Sequence, residues 1–222
     1  MIPAKHFYMI RHGETEANKA RLMAGSLDSP LTDTGREQAA QARRIVKSLE
    51  VKPKAIIHSN LSRARDTASI INGALDVPMH EEQDLAELHA GDWEGVPYEE
   101  CSALLTGWPN PPNGETFNDF CARIKRGKQK VLDAHDSPVL IVSHGGVFRA
   151  FGGLYGLKTP GVFRNCHLYE FQPDTQNTVF PWMVWSYERA DSIQRTKVDV
   201  YHLSEVLGGS ESADDHPAEQ IA

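Results

Sequence analysis

FYMIRHGETEAN, residues 7–18, opens with an apolar, β-prone run and breaks abruptly into arginine, histidine and glycine. The run from His6 to Ile10 is short and shows no polar alternation, the pattern of a strand buried on both faces. The same pattern recurs in KAIIHS (54–59) and in SPVLIVSHGG (137–146). Helical periodicity separates these runs. TDTGREQAAQARRIVKSLE predicts a helix to about Leu49, with Thr34 and Glu37 at capping-box spacing. LSRARDTASIINGAL (61–75) predicts a second helix, ended near Gly73. ETFNDFCARIKRGKQKVLDAH (115–135) predicts a third, with Phe117, Phe120, Ile124, Val131 and Leu132 on one face. GVFRAFGGLYGL continues as a glycine-weakened helix, and NCHLYEFQ and VFPWMVWSYE read as later strands. Strands alternating with helices specify an α/β protein, a three-layer α/β/α sandwich around a mostly parallel central sheet.

What stands at the strand ends points to chemistry. In an open parallel sheet, ligands bind outside the carboxyl ends of the strands. The first strand ends in Arg11-His12-Gly13, the second in Ser59 with Arg63 just beyond, and the third in Ser143-His144-Gly145-Gly146. One arginine or histidine at a strand tip is usually a solvated surface group. Two of each at three corresponding tips, beside helix N-termini, can wrap a tetrahedral dianion. A glycine after His12 would let the chain turn where a Cβ would crowd such a group. The glycine-punctuated stretch from Asp84 to Gly95 offers Asp84, Glu87, Asp92 and Glu94 as acids for a leaving group.

The bulk properties set limits on partners. The chain has 222 residues, 40% hydrophobic and 24% charged, with a net charge of −7. Such a chain suits one sizeable domain over residues 1–207, with a cap region at about 91–120. The stretch 208–222 holds Glu211, Asp214, Asp215 and Glu219 and no lysine or arginine, and reads as a disordered acidic tail. Neither nucleic acid nor a membrane surface is an expected partner of so acidic a chain. Cys101, Cys121 and Cys166 are widely spaced and odd in number, which reads as reduced thiols in the cytoplasm. The aromatic VFPWMVWSYE stretch suits either a homodimer interface or an ordinary edge strand.

Longer motifs sharpen this reading. Arg11-His12-Gly13-Glu14-Thr15 with Asn18 is joined by RLMAGSLDSPLTDTGREQA (21–39), SNLSRARDTA (59–68), ELHAGDWEG (87–95), NPPNGETFNDFCARI (110–124) and VSHGGVFRA (142–150). In this order they resemble the histidine phosphatase superfamily, which includes the cofactor-dependent phosphoglycerate mutases. The resemblance is loose beyond about Gly161. It implies that His12 is a nucleophile forming phosphohistidine, with Nδ1 held by a backbone carbonyl. It implies that Arg11, Arg63 and His144 hold the phosphoryl oxygens, that Asn18 and the Gly145 N–H add donors, and that Glu87 protonates the leaving oxygen. No cofactor or metal is implied, and phosphate and a small phosphoester are the expected ligands. Arg21 and His89 are candidate substrate contacts, and Trp93, Tyr98, Trp108 and Phe117 candidate walls of the substrate site.

Within the superfamily, Leu88 and Ala90 replace an arginine and a tyrosine usual in the mutases, and Val96–Glu115 contains no lysine or arginine. This favours a phosphomonoesterase over a mutase. A catalytically dead phosphate-binding module would lack His12 or Glu87. A metallohydrolase using His12, His144, His89 and Glu87 would place arginine beside a dication, and no histidine pair has the usual ligand spacing.

Overall fold

The structure is a computed structural model that describes residues 1–101, 110–136, 138–160, 162–188 and 194–203. Trp108 and the acidic stretch from Gly208 lie outside the described residues. The principal elements are β1 (Phe7–Arg11), α1 (Glu16–Lys19), α2 (Asp33–Ser48), β2 (Ala55–His58), α3 (Ser62–Asn72) and β3 (Met79–Glu81). Two short 3₁₀ turns follow, then α4 (Phe117–Ala134), β4 (Val139–Ser143), α5 (Gly145–Gly153), β5 (Leu157–Lys158), β6 (Leu168–Pro173), β7 (Trp182–Tyr187), β8 (Arg195–Lys197) and β9 (His202–Leu203).

The main sheet runs β3-β2-β4-β1-β6-β7-β8. Its first four strands are mutually parallel, and β6, β7 and β8 extend it antiparallel. The unbroken apolar runs are explained by helices on both faces. Phe7 and Met9 of β1 face one way with Val139 and Ile141 of β4, against Phe120, Ile124, Val131 and Leu132 of α4 and Val147, Phe148 and Phe151 of α5. Tyr8, Ile10, Leu140 and Val142 face the other way, against Ala39, Ala42, Ile45 and Val46 of α2 and Ala64, Ala68 and Ile71 of α3. The three-layer expectation holds.

Two local expectations change. The cap of α2 is Thr32, not Thr34: its hydroxyl accepts the Gly35 N–H at 3.0 Å and donates to Glu14 at 2.7 Å. The later contact ties the helix start to the β1 tip, which capping-box spacing alone could not register. The aromatic strand β7 is not an edge strand, since β8 covers it. Phe180 and Trp182 join the core. Trp185 donates to Gln172 at 3.1 Å and lies 4.4 Å from the Arg195 guanidinium carbon.

Strand order decides the site. β4 lies between β2 and β1, so the tips carrying Ser59, His144 and Arg11-His12 are neighbours. Main-chain bonds carry the ladder past the strand ends: His12 N–H donates to Ser143 at 3.0 Å and Ser59 N–H to Val142 at 3.3 Å.

Candidate active site

His12 is buried, and its Nδ1 lies 2.7 Å from the Gly13 carbonyl. A carbonyl only accepts, so Nδ1 carries the proton and Nε2 of the neutral ring keeps its lone pair. Burial, and then the charges of Arg63 and Arg11, push the His12 pKa well below the usual histidine value. The ring is therefore neutral at neutral pH. The ring of His144 is 5.1 Å away, centroid to centroid, and fully buried. Its pKa is also pushed well down, by burial and then by Arg63, His12 and Arg11.

Arg63 is held from three sides. Its Nη1 donates to Leu27 O at 2.8 Å, its Nη2 to Gly25 O at 2.7 Å, and its Nε to His144 Nδ1 at 3.3 Å. The loop carrying those carbonyls is itself tied to α3, because Asp28 accepts both the N–H and the hydroxyl of Ser62. Arg11 donates from Nη1 to Phe163 O at 2.7 Å, while its Nε is buried without a hydrogen-bond partner among the described residues. A buried guanidinium N–H with no acceptor costs free energy, and a phosphoryl oxygen is the partner that two arginines and a neutral histidine would suit. Gly145 packs against this arginine: a Cβ there would stand 3.7 Å from Arg11 Nε.

Glu87 is delivered to the N-terminus of α5. Its carboxylate accepts the Gly146 N–H at 3.0 Å and the Leu88 N–H at 2.9 Å. The α5 cap residue is His144, which makes no side-chain cap bond of its own, so Glu87 takes that place. Behind it, Arg123 donates to the carbonyls of Asp84, Ala86 and Glu87 and binds Glu115 through two nitrogens. Glu115 and Arg123 both lay in a quoted motif, but their joint task was not legible there.

Asn18 closes a capping box with Thr15, its Oδ1 accepting the Thr15 N–H at 3.2 Å. That oxygen also accepts from Asn165 at 3.5 Å, so it is the amide NH₂ of Asn18 that has no partner among the described residues. Asn165 in addition donates to His12 O at 2.8 Å. It falls beyond the well-matched motifs, and no local pattern marks it.

Other expectations are placed elsewhere. Arg21 is half exposed and paired with exposed Glu99 at 3.0 Å. His89 is exposed on the surface. Glu94 has a structural part, accepting from Ser26 and Ala90. Trp93 and Phe117 pack against the core, whereas Tyr98 is close enough to affect Arg11 and Arg63 electrostatically. Gly13 is needed for a different contact from the one expected: a Cβ would collide with the Gly35 carbonyl at the start of α2, not with a bound group. Among the described residues, no group of three or more His, Cys, Asp or Glu side chains is arranged to hold a metal ion.

The geometry thus gathers a neutral histidine with a bare nitrogen, two arginines, a second histidine and a carboxylate. That set can bind a phosphoryl group, attack it and protonate a leaving oxygen.

Comparison with known proteins agrees. The model of the histidine phosphatase superfamily (branch 1) matches residues 7–182. The adenosylcobalamin/alpha-ribazole phosphatase of Salmonella typhimurium is 38% identical over 152 residues, which are 63% of this chain and 74% of that protein. The probable phosphoglycerate mutase GpmB of Photorhabdus laumondii is 33% identical over 217 residues, 90% of this chain and 97% of its own. The mycobacterial glucosyl-3-phosphoglycerate phosphatase Rv2419c, solved with VO3, superposes with a TM-score of 0.69 at 25% identity, over 90% of this chain and 100% of that one. With its paired strand-tip histidines and its match over most of its length, the chain belongs to the histidine phosphatase superfamily.

Proposed function

We propose that the chain is a phosphomonoesterase that hydrolyses a small phosphorylated metabolite through phosphohistidine at His12. One observation carries the reading: the Gly13 carbonyl holds His12 Nδ1, leaving Nε2 bare in a cluster with Arg11, Arg63 and His144. Nε2 attacks phosphorus, the N–P bond forms, and the ester P–O bond breaks in line. The leaving oxygen takes a proton from Glu87. Water then attacks the phosphohistidine, giving a proton back to Glu87 and releasing phosphate. Arg11, Arg63 and His144 neutralise the transferring oxygens, with the Asn18 NH₂ and the Gly145 N–H as further donors.

Hydrolysis is favoured over mutase chemistry because Leu88 and Ala90 are buried apolar side chains that offer a substrate neither charge nor hydroxyl. The sequence from Val96 to Glu115 contains no lysine or arginine with which to retain a bisphosphate intermediate by charge. Three buried free cysteines suit a reducing cytoplasm. The relatives make alpha-ribazole phosphate and glucosyl-3-phosphoglycerate the first natural esters to try.

The test is release of p-nitrophenol from p-nitrophenyl phosphate, with EDTA present, by the wild type and by His12→Ala. Activity that survives EDTA and disappears in the variant is the expected result. Activity retained by His12→Ala would exclude this nucleophile. Transfer of the phosphoryl group to 3-phosphoglycerate in preference to water would reassign the chain as a mutase.

A further inference from the structure

The two site histidines are anchored through opposite nitrogens. His12 is held at Nδ1 by a main-chain carbonyl. His144 is held at Nε2, which lies 2.6 Å from the Ser59 hydroxyl oxygen. Its Nδ1 is 3.3 Å from Arg63 Nε, whose N–H donates to it, so Nδ1 bears the lone pair and Nε2 bears the proton. Arg63, which can only donate, selects this tautomer, and Ser59 accepts the Nε2–H and so fixes the plane of the ring. Ser59 is fully buried, and main-chain bonding to β4 fixes its place at the β2 tip. Its oxygen also accepts the Leu61 N–H at 3.4 Å, which orients the hydroxyl from the other side.

We propose that Ser59 is a positioning residue for phosphoryl transfer: by holding His144 Nε2 it commits Nδ1 as the atom that meets the phosphoryl group. The inference rests on the phosphohistidine reading above. The mirrored anchoring gives each histidine one task. His12 presents Nε2 as a lone pair to phosphorus. His144 presents Nδ1 beside Arg63; when a phosphoester monoanion binds, the Arg63 Nε–H turns from Nδ1 to a phosphoryl oxygen and the ester passes its proton to Nδ1: the P–O–H bond breaks, the Nδ1–H bond forms, and the resulting dianion is bound by the imidazolium. Nε2–H stays on Ser59 throughout. Without that acceptor, the buried Nε2–H is left unpaired and the ring is free to turn away from the orientation that sets Nδ1 beside Arg63.

The experiment uses the whole chain, wild type and with Ser59→Ala or Ser59→Thr, and reads both rate and tautomer. Ser59→Ala should lower kcat on p-nitrophenyl phosphate by about 100-fold, the scale of a misplaced reacting group. Ser59→Thr keeps the hydroxyl and should recover most of that loss. Long-range ¹H–¹⁵N spectra of histidine-labelled protein, with His144 assigned by comparison with His144→Gln, should show protonated Nε2 and bare Nδ1 in the free wild type. Orthovanadate should protonate Nδ1. The Ser59→Ala spectrum should show the His144 Nε2–H without its hydrogen-bonded downfield shift. A bare Nε2 in the free wild type overturns the proposal, whether or not the alanine variant folds. So does an alanine variant with unchanged kcat, or a folded threonine variant as slow as the alanine one. Failure of the phosphohistidine reading is seen separately, as a wild type that forms no phosphoenzyme at His12 while the His144 spectrum still answers for Ser59.

Discussion

Replacing Lys128 with methionine should stabilise the protein at neutral pH, by an amount that shrinks as the pH rises toward 10. Lys128 lies on α4, fully buried. Its Nζ is 3.8 Å from the Phe151 ring centroid, 4.1 Å from Phe7 and 5.6 Å from Phe171, with Met9 Sδ at 3.3 Å. No carboxylate pairs with it among the described residues. Burial pushes its pKa well below the ordinary lysine value. The unfolded chain therefore binds one more proton than the folded one, from the depressed pKa up to the unfolded value near 10.4. Across that window stability rises with pH by about 1.4 kcal/mol per unit. Above it the penalty is gone, and below the folded pKa it is constant. Exchanging a buried ionisable group for an apolar one of similar volume returns about 1–4 kcal/mol. A net gain of about 2 kcal/mol at pH 7 corresponds to a Tm higher by about 4–8 °C for a chain of this size. Thermal and urea unfolding of both proteins at pH 7 and near pH 9.5 measure it. A methionine variant less stable than wild type by the same amount at both pH values would refute the argument, because the ammonium would then be charged and held by the rings.

Three further outcomes test the site. Gly146→Ala places a Cβ against Glu87 Oε1 and 3.3 Å from Phe120, so it should lower kcat by about 100-fold while the melting temperature stays at or above wild type, since alanine suits a helix better by up to about 1 kcal/mol. Arg21→Ala removes only an exposed pair with Glu99, so kcat/KM should change by less than about 2-fold and stability by about 0–1 kcal/mol; a large rise in KM would restore Arg21 as a substrate contact. Because burial and two arginines depress the His12 pKa, the nucleophile stays neutral as pH falls through 6.5, and the acid limb of kcat/KM should lie below that value. A limb at or above 6.5 that moves with substitutions at Arg11 would contradict this.

Several elements were readable because their signals are local. The buried strands show as unbroken apolar runs, α4 as a helical stripe, and the strand tips as abrupt Arg-His-Gly and Ser-His-Gly-Gly breaks. Lys128 had a signal too: it follows Phe120 and Ile124 at a spacing of four, inside the stripe that otherwise marks the core face. The chemistry of the cluster followed from placing the tips side by side at one sheet edge.

The sequence by itself determined which groups reach that edge: two histidines, two arginines and a glutamate, each carried by a recognisable strand end or motif. Only the tertiary structure decided what stands behind them. Ser59 meets His144 across 85 residues, Glu87 meets the Gly146 N–H across 59, and Arg123 reaches back across 36 to hold the Glu87 loop. The Gly13–Gly35 contact and the pairing of Arg21 with Glu99 were set in the same way. Periodicity and turn chemistry act over a few residues, whereas these partners are chosen by where β4 inserts between β2 and β1 and by how α2, α4 and α5 then pack.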